Sequence, residues 1–176
     1  MKRPIFSLVA VCTIDGKIAR HSKHLSDWSS KEDKDFLHKI LDKSDAVVVG
    51  NNTYQVAQKP LSKRNCIVFT RSVKNPVQKS EKLALFNPAH SAIESFCREN
   101  GYKDVCVLGG AKTFNYFLHE NLADEIYLTI EPIAFGSGIT LFDSGEKYVF
   151  FDLVSFKRLN KKGTVLLHYR NGSGKW

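Results

Sequence analysis

Short apolar runs, each stopped by a turn residue, alternate with stretches of helical spacing along most of this chain, and few architectures accept that order. The runs read as strands over 5–14, 46–50, 66–70, 83–86, 105–108 and 126–130, with two more over 148–156 and 164–169. Helical patterns lie between them at 30–42, 52–57, 88–100 and 112–119. The third is the best punctuated, with Asn87 as its cap, Pro88 at the first helical position and Gly101 just past its end. Alternating strands and helices call for parallel strands joined by crossovers, whereas the last strands follow one another directly. The expectation is an α/β fold: a central, mostly parallel sheet flanked by helices, with antiparallel strands from the C-terminus. No repeat or linker interrupts the pattern, so residues 1–176 read as one domain, with only the tail NGSGKW loose.

Composition narrows the class. With 43% hydrophobic and 25% charged residues the chain reads as an ordinary globular protein. No apolar run approaches the ~18 residues of a membrane span. The start, MKRPIFSLVAVCTIDG, imitates a secretory leader, but it lacks a small-x-small cleavage site and turns at Asp15-Gly16 as a strand would. Cys12, Cys66, Cys97 and Cys106 are scattered and show no metal-ligand spacing, which suits small buried hydrophobes in a reducing, cytoplasmic setting. The net charge of +8 is dispersed, so nucleic acid is not the expected partner, and a basic enzyme drawing in phosphorylated ligands would show the same balance.

In open α/β sheets ligands bind beyond the carboxyl ends of the strands, and three such ends carry suitable residues. In VLGGAKT, Gly109 and Gly110 precede a helix opening at Ala111, Lys112 and Thr113. Glycines there admit a ligand close to the backbone, and the free N–H groups of the helix favour a phosphate; a plain tight turn would look the same. In VVVGNNTY a strand ends at Gly50, with Asn51 or Asn52 as the cap of the following helix and Thr53 close by. In FTRS, Thr70, Arg71 and Ser72 form a basic, hydroxyl-bearing cluster that suits a terminal phosphate such as the 2′-phosphate of NADP.

One acid stands out. Phe36, Leu37, Ile40 and Leu41 form a helical stripe, and Asp33, three and four residues earlier, points along its middle at ~100° per residue. A carboxylate aimed at the core is costly unless paired or used. Asp33 is therefore either a first-turn acid favoured by the helix dipole or a group that orients a ring and manages a proton. Glu32 has a structural reading, as partner of Ser29 in a capping box. His21, His24, His38, His90, His119 and His168 share no ligand spacing and read as non-catalytic.

These pieces, in order, resemble the dihydrofolate-reductase-like reductases, and within them the C-terminal reductase domain of the riboflavin-biosynthesis deaminase/reductase. SLVAVCTIDGKIA is similar to that domain's opening strand and DGKIA turn, LSDWSSKEDKDFLHKI to its substrate-side helix and DAVVVGNNTY to its second strand end. VLGGAKTFNYFL is similar to its glycine-pair turn, and LADEIYLTIEPIAFGSGITLF to its DE…P…G-x-G…LF segment. The resemblance implies NADPH-dependent hydride transfer. Val11 and Ile18 would then flank the nicotinamide. Gly50, Asn52, Thr53, Gly109, Gly110, Ala111 and Thr113 would meet the phosphates, and Thr70, Arg71 and Ser72 the adenosine end. Asp33, with Trp28 and Thr129, would face the substrate, and no metal is implied.

The middle of the chain departs from that pattern. The DDP-x-L-x-x-R stretch of the riboflavin-pathway reductases is replaced by GNNTYQVAQKPLSKRNCIVF, which is more similar to dihydrofolate reductase, and Arg64 falls where an arginine would grip a carboxylate or phosphate. The leading expectation is reduction of 5-amino-6-(5-phosphoribosylamino)uracil, with dihydrofolate as the second candidate substrate and a non-catalytic nucleotide-binding protein as the rival class. The deaminase zinc motif is absent from this chain. The riboflavin-type relatives incline the expectation toward a homodimer.

Overall fold

A computed structural model describes residues 2–24, 26–142 and 148–172. Among the described residues are eleven strands and four helices, the eight expected strands and four helices in their expected order with β2, β5 and β9 in addition: β1 (Ile5–Thr13), β2 (Lys17–Ala19), α1 (Lys31–Lys43), β3 (Ala46–Gly50), α2 (Asn51–Leu61), β4 (Cys66–Phe69), β5 (Val77–Ser80), β6 (Leu83–Phe86), α3 (Ile93–Glu99), β7 (Asp104–Val107), α4 (Ala111–His119), β8 (Glu125–Glu131), β9 (Ile139–Thr140), β10 (Phe151–Arg158) and β11 (Val165–Asn171). Nine strands form one sheet in the order β10-β11-β8-β1-β7-β3-β4-β6-β5, and β2 pairs with β9 in a separate ribbon. The six strands from β8 to β6 are mutually parallel, whereas β11, β10 and β5 are antiparallel to their neighbours.

Alternation along the central strands builds two cores. Phe6, Leu8, Val48, Ile67 and Val107 face α3 and α4, where Cys97, Phe114 and Phe117 cover them. Val9, Val47, Val49, Val68 and Cys106 face α1 and α2, under Leu41 and Leu61. All four cysteines are free and buried, as expected of small apolar residues, and burial pushes each thiol up to about 11 or 12.

Four local expectations are corrected. The third helix begins at Ile93 rather than residue 88, because Asn87 spends its side chain on a turn: its Oδ1 accepts the Ala89 N–H and its Nδ2 donates to the Val73 carbonyl. Its end is as read, with Gly101 at φ +74 beyond the last turn. Ser30, not Ser29, caps α1, its hydroxyl accepting the Asp33 N–H. Gly50 takes the cap position of α2, so Asn51 and Asn52 lie inside the helix. The tail is tied at its start, since the Asn171 N–H donates to Asp124 and the Gly172 N–H to Phe150; residues 173–176 lie outside the described residues.

Candidate active site

The carboxyl ends of β3 and β7 meet. The Gly50 N–H donates to the Gly109 carbonyl at 2.7 Å, and Gly109 holds a φ of +86 that favours glycine. A Cβ on Gly109 would lie 2.5 Å from the Phe114 ring. A Cβ on Gly50 would lie 2.8 Å from Thr113 Oγ1, and one on Gly110 3.5 Å from Thr53 Oγ1. The two helix starts are thus matched: Gly50-x-x-Thr53 opens α2 and Gly110-x-x-Thr113 opens α4, each threonine turned toward the other helix's glycine. Neither glycine can supply a side-chain cap, and no side-chain cap is found at either start. Two sets of first-turn N–H groups and two helix dipoles therefore lie side by side, an arrangement suited to a diphosphate.

Thr70, Arg71 and Ser72 continue this line of strand ends, because Phe69 is in register with Gly50. The Thr70 hydroxyl donates to Ser72 Oγ at 3.0 Å and accepts the Ser72 N–H at 3.2 Å, leaving Arg71 exposed. In the other direction, Val11 of β1 is in register with Thr129 of β8, on the sheet face that carries Val9 and Tyr127. Ile18, on β2, packs against the core on the α4 side. Asn52 is exposed and Ala111 half-buried, each in the first turn of its helix.

Asp33 is buried, 7% exposed, in the first turn of α1. Burial pushes its carboxyl above the usual carboxylate range; hydrogen bonds from Thr129 and Ser29 pull it back, Glu131 adds to the rise and Lys34 opposes it. Trp28, at the end of the 3-10 turn Ser26–Trp28, stands edge-on to Phe135 at 5.0 Å. Its indole N–H is buried without a hydrogen-bond partner among the described residues, a donor placed for an acceptor the protein does not supply. The loop carrying Phe135 is held by Asp15, whose carboxylate accepts the N–H groups of Phe135 and Gly136 at 3.1 and 2.8 Å.

Arg64 is not part of this assembly. It precedes β4 at the amino-terminal ends of the strands, where its guanidinium donates to the Leu41 carbonyl and Asp42, each at 2.6 Å. A residue that sequence reasoning passed over does belong here: Glu131 is 5% exposed and accepts the N–H of Ser30 at 2.7 Å. The repeated Gly-x-x-Thr spacing was the one sequence signal that could have paired the two helix starts. A surface cavity of about 420 Å³, lined by His90, Glu94, Tyr116 and Glu120 among others, shares no residue with this site. Among the described residues there is no cluster of metal-ligating side chains, and no helix is long and apolar enough to cross a membrane.

The RibD C-terminal domain family matches residues 4–165. The chain belongs to that family. The Bacillus subtilis protein YwjB is 27% identical over 187 residues, covering 96% of this chain and 98% of its own. The structure of the Thermotoga maritima diaminohydroxyphosphoribosylaminopyrimidine deaminase/5-amino-6-(5-phosphoribosylamino)uracil reductase superposes with a TM-score of 0.77 at 22% identity, over 97% of this chain and 57% of that one. The chain thus spans little more than half of that two-activity protein. Enterococcus faecalis dihydrofolate reductase, solved with NADP(H), gives a TM-score of 0.70 at 20% identity over 96% and 97% of the two chains. The dihydrofolate-reductase-like fold expected from the sequence is the fold of this RibD C-terminal domain, and similarity to the Ureaplasma parvum dihydrofolate reductase, 27% identical over 115 residues covering 65% of this chain and 68% of its own, supports a reductase role.

Proposed function

We propose that this RibD C-terminal domain is an NADPH-dependent reductase of a phosphoribosylated aminopyrimidine, 5-amino-6-(5-phosphoribosylamino)uracil. The observation that carries the reading is the pair of uncapped helix starts at Gly50 and Gly110, in one row of strand ends with a buried acid at Asp33. Gly50, Asn52, Thr53, Gly109, Gly110, Ala111 and Thr113 would hold the diphosphate, Thr70, Arg71 and Ser72 the phosphorylated adenosine, and Val11 and Ile18 the nicotinamide. Bound there, NADPH supplies a hydride.

Reduction of a polar double bond needs a proton as well as a hydride. Asp33 is the group suited to deliver it, because burial favours its protonated form and the Thr129 and Ser29 hydroxyls fix its position. Trp28 offers its unpartnered N–H to an acceptor on the substrate ring. The protein's work is otherwise placement and exclusion of water around the reacting atoms.

Loss of absorbance at 340 nm with NADPH and each candidate substrate tests the reading. Turnover of the pyrimidine is expected, and Asp33→Asn should keep NADPH affinity while losing at least ~10²-fold in rate. Turnover of dihydrofolate alone would replace the substrate, and tight NADPH binding with no turnover of either would make the protein a nucleotide binder. Arg64, with both terminal nitrogens engaged by α1, is counted with neither substrate.

A further inference from the structure

Glu131 ends β8 as a buried carboxylate, and among the described residues no lysine or arginine forms an ion pair with it. A buried acid without a counter-charge is expensive unless hydrogen bonds hold it. Here Oε1 accepts the Ser30 N–H at 2.7 Å and Oε2 accepts the Thr164 hydroxyl at 2.6 Å. Each carboxyl oxygen thus has a donor of its own. Thr164 is 1% exposed and is itself held by Asn160, which donates to Thr164 Oγ1 at 2.9 Å and to Glu32 at 3.2 Å. The turn between β10 and β11 is therefore fastened to the first turn of α1, with Glu131 as the central fastener.

The residue it grips matters. Ser30 is the cap whose hydroxyl accepts the Asp33 N–H, so the backbone carrying Asp33 hangs from the residue that Glu131 holds. Glu131 and Thr129 also occupy alternate positions on one face of β8, and Thr129 is hydrogen-bonded to the Asp33 carboxyl. We propose that Glu131 is the positioning residue of this site: held by the Thr164 hydroxyl, it fixes the first turn of α1 through the Ser30 amide and so sets the place of the Asp33 carboxyl.

This rests on the reading of Asp33 as proton donor and adds to it the residue that places the donor. The charged groups facing Asp33 are Glu131 from β8 and Lys34 from its own helix, with the hydroxyls of Thr129 and Ser29 beside them. A like charge holds a carboxyl's midpoint up, so its removal must lower it.

The test is a titration of Asp33 by NMR on protein labelled with ¹³C at the aspartate carboxyls, with Asp33→Asn assigning the signal. In Glu131→Gln the Asp33 midpoint is expected at lower pH, and the limb on which kcat falls with rising pH should move the same way while KM for NADPH stays put. Glu32→Gln, which neutralises an exposed acid of the same network, should move neither. An unmoved Asp33 midpoint in Glu131→Gln, or an equal displacement in Glu32→Gln, overturns the assignment. Should Glu131→Gln prove too unstable to titrate, Glu131→Asp keeps the charge and shortens the reach: Ser30 amide exchange must quicken while the Asp33 midpoint stays up, and unchanged exchange refutes the positioning role. A displaced midpoint in a protein with no turnover would support Glu131 while removing the reductase reading.

Discussion

Gly50→Ala probes the meeting of β3 and β7 without disturbing backbone geometry, because Gly50 already has φ −71 and ψ 154, values open to alanine. The added methyl would stand 2.8 Å from Thr113 Oγ1, with the Gly109 carbonyl oxygen at 3.6 Å and the Gly110 nitrogen at 3.7 Å. Only the first contact demands movement, and Thr113 is 4% exposed, with little room to yield. Overpacking of this kind costs about 1–3 kcal/mol. For a domain of this size each kcal/mol lowers Tm by roughly 2–4 °C, so the loss should fall at about 2–12 °C. Thr113→Ala removes the atom that the methyl strikes. The double variant should then be more stable than the sum of the single effects by about 1 kcal/mol or more, the coupling expected of groups in contact. Thermal and urea melts of the four proteins measure the cycle. Additivity within about 0.5 kcal/mol would refute the claim that these two residues lock the strand ends together. Titration with NADPH adds a separate reading, since the same methyl would crowd the proposed diphosphate seat and weaken binding.

Other expectations concern charge. Because the folded-state midpoint of Asp33 is raised, its contribution to stability is full below the unfolded carboxylate value near ~4 and is lost as pH rises through the folded one. Asp33→Asn should therefore gain on wild type in Tm as pH is raised from ~4 to 8, and a flat difference would contradict the burial argument. Asp15 runs the other way: the Thr13 hydroxyl and the Phe135 and Gly136 N–H groups depress it, so its contribution is present above ~4 and disappears as pH falls through its folded value. The Tm gap between wild type and Asp15→Asn should close in acid. Arg64→Ala should cost about 1 kcal/mol through the lost bonds to Leu41 and Asp42 and leave KM for the pyrimidine unchanged; a rise in that KM would return Arg64 to the substrate site.

The strands were legible where burial on both faces forces continuous apolar runs, as in Val47–Val49 and Cys66–Phe69. Asp33 was legible for the opposite reason, a charge in an apolar stripe. β5 left no signal, since all four of its residues are exposed and nothing in Val-Gln-Lys-Ser alternates. The start of α3 was misplaced because Asn87 can satisfy either a helix or a turn, and the Val73 carbonyl that decides the matter lies 14 residues away. The capping of α1 was hidden in the same way. The second anchor of Ser30 is Glu131, 101 residues on, and Glu131 is in turn fixed by Thr164, 33 residues further. Local pattern reaches a few residues along the chain, whereas the site is assembled from segments that only the sheet brings together.

The position of β1 between β7 and β8 also governs how the chain can come to its fold. The first strand is made early, yet both its neighbours in the sheet come from the second half of the sequence, and the Phe6 N–H waits for the Asp124 carboxylate 118 residues later. During synthesis the segment IFSLVAVCT, apolar and suited to pairing, must stay unpaired until most of the chain has emerged. Pairings so distant in sequence make for slow folding, and an exposed strand of this composition is an aggregation hazard in the interval. The flanking Lys2 and Arg3, with Asp15 and Lys17 on the other side, place charge at both ends of that strand, where it opposes premature pairing between nascent chains.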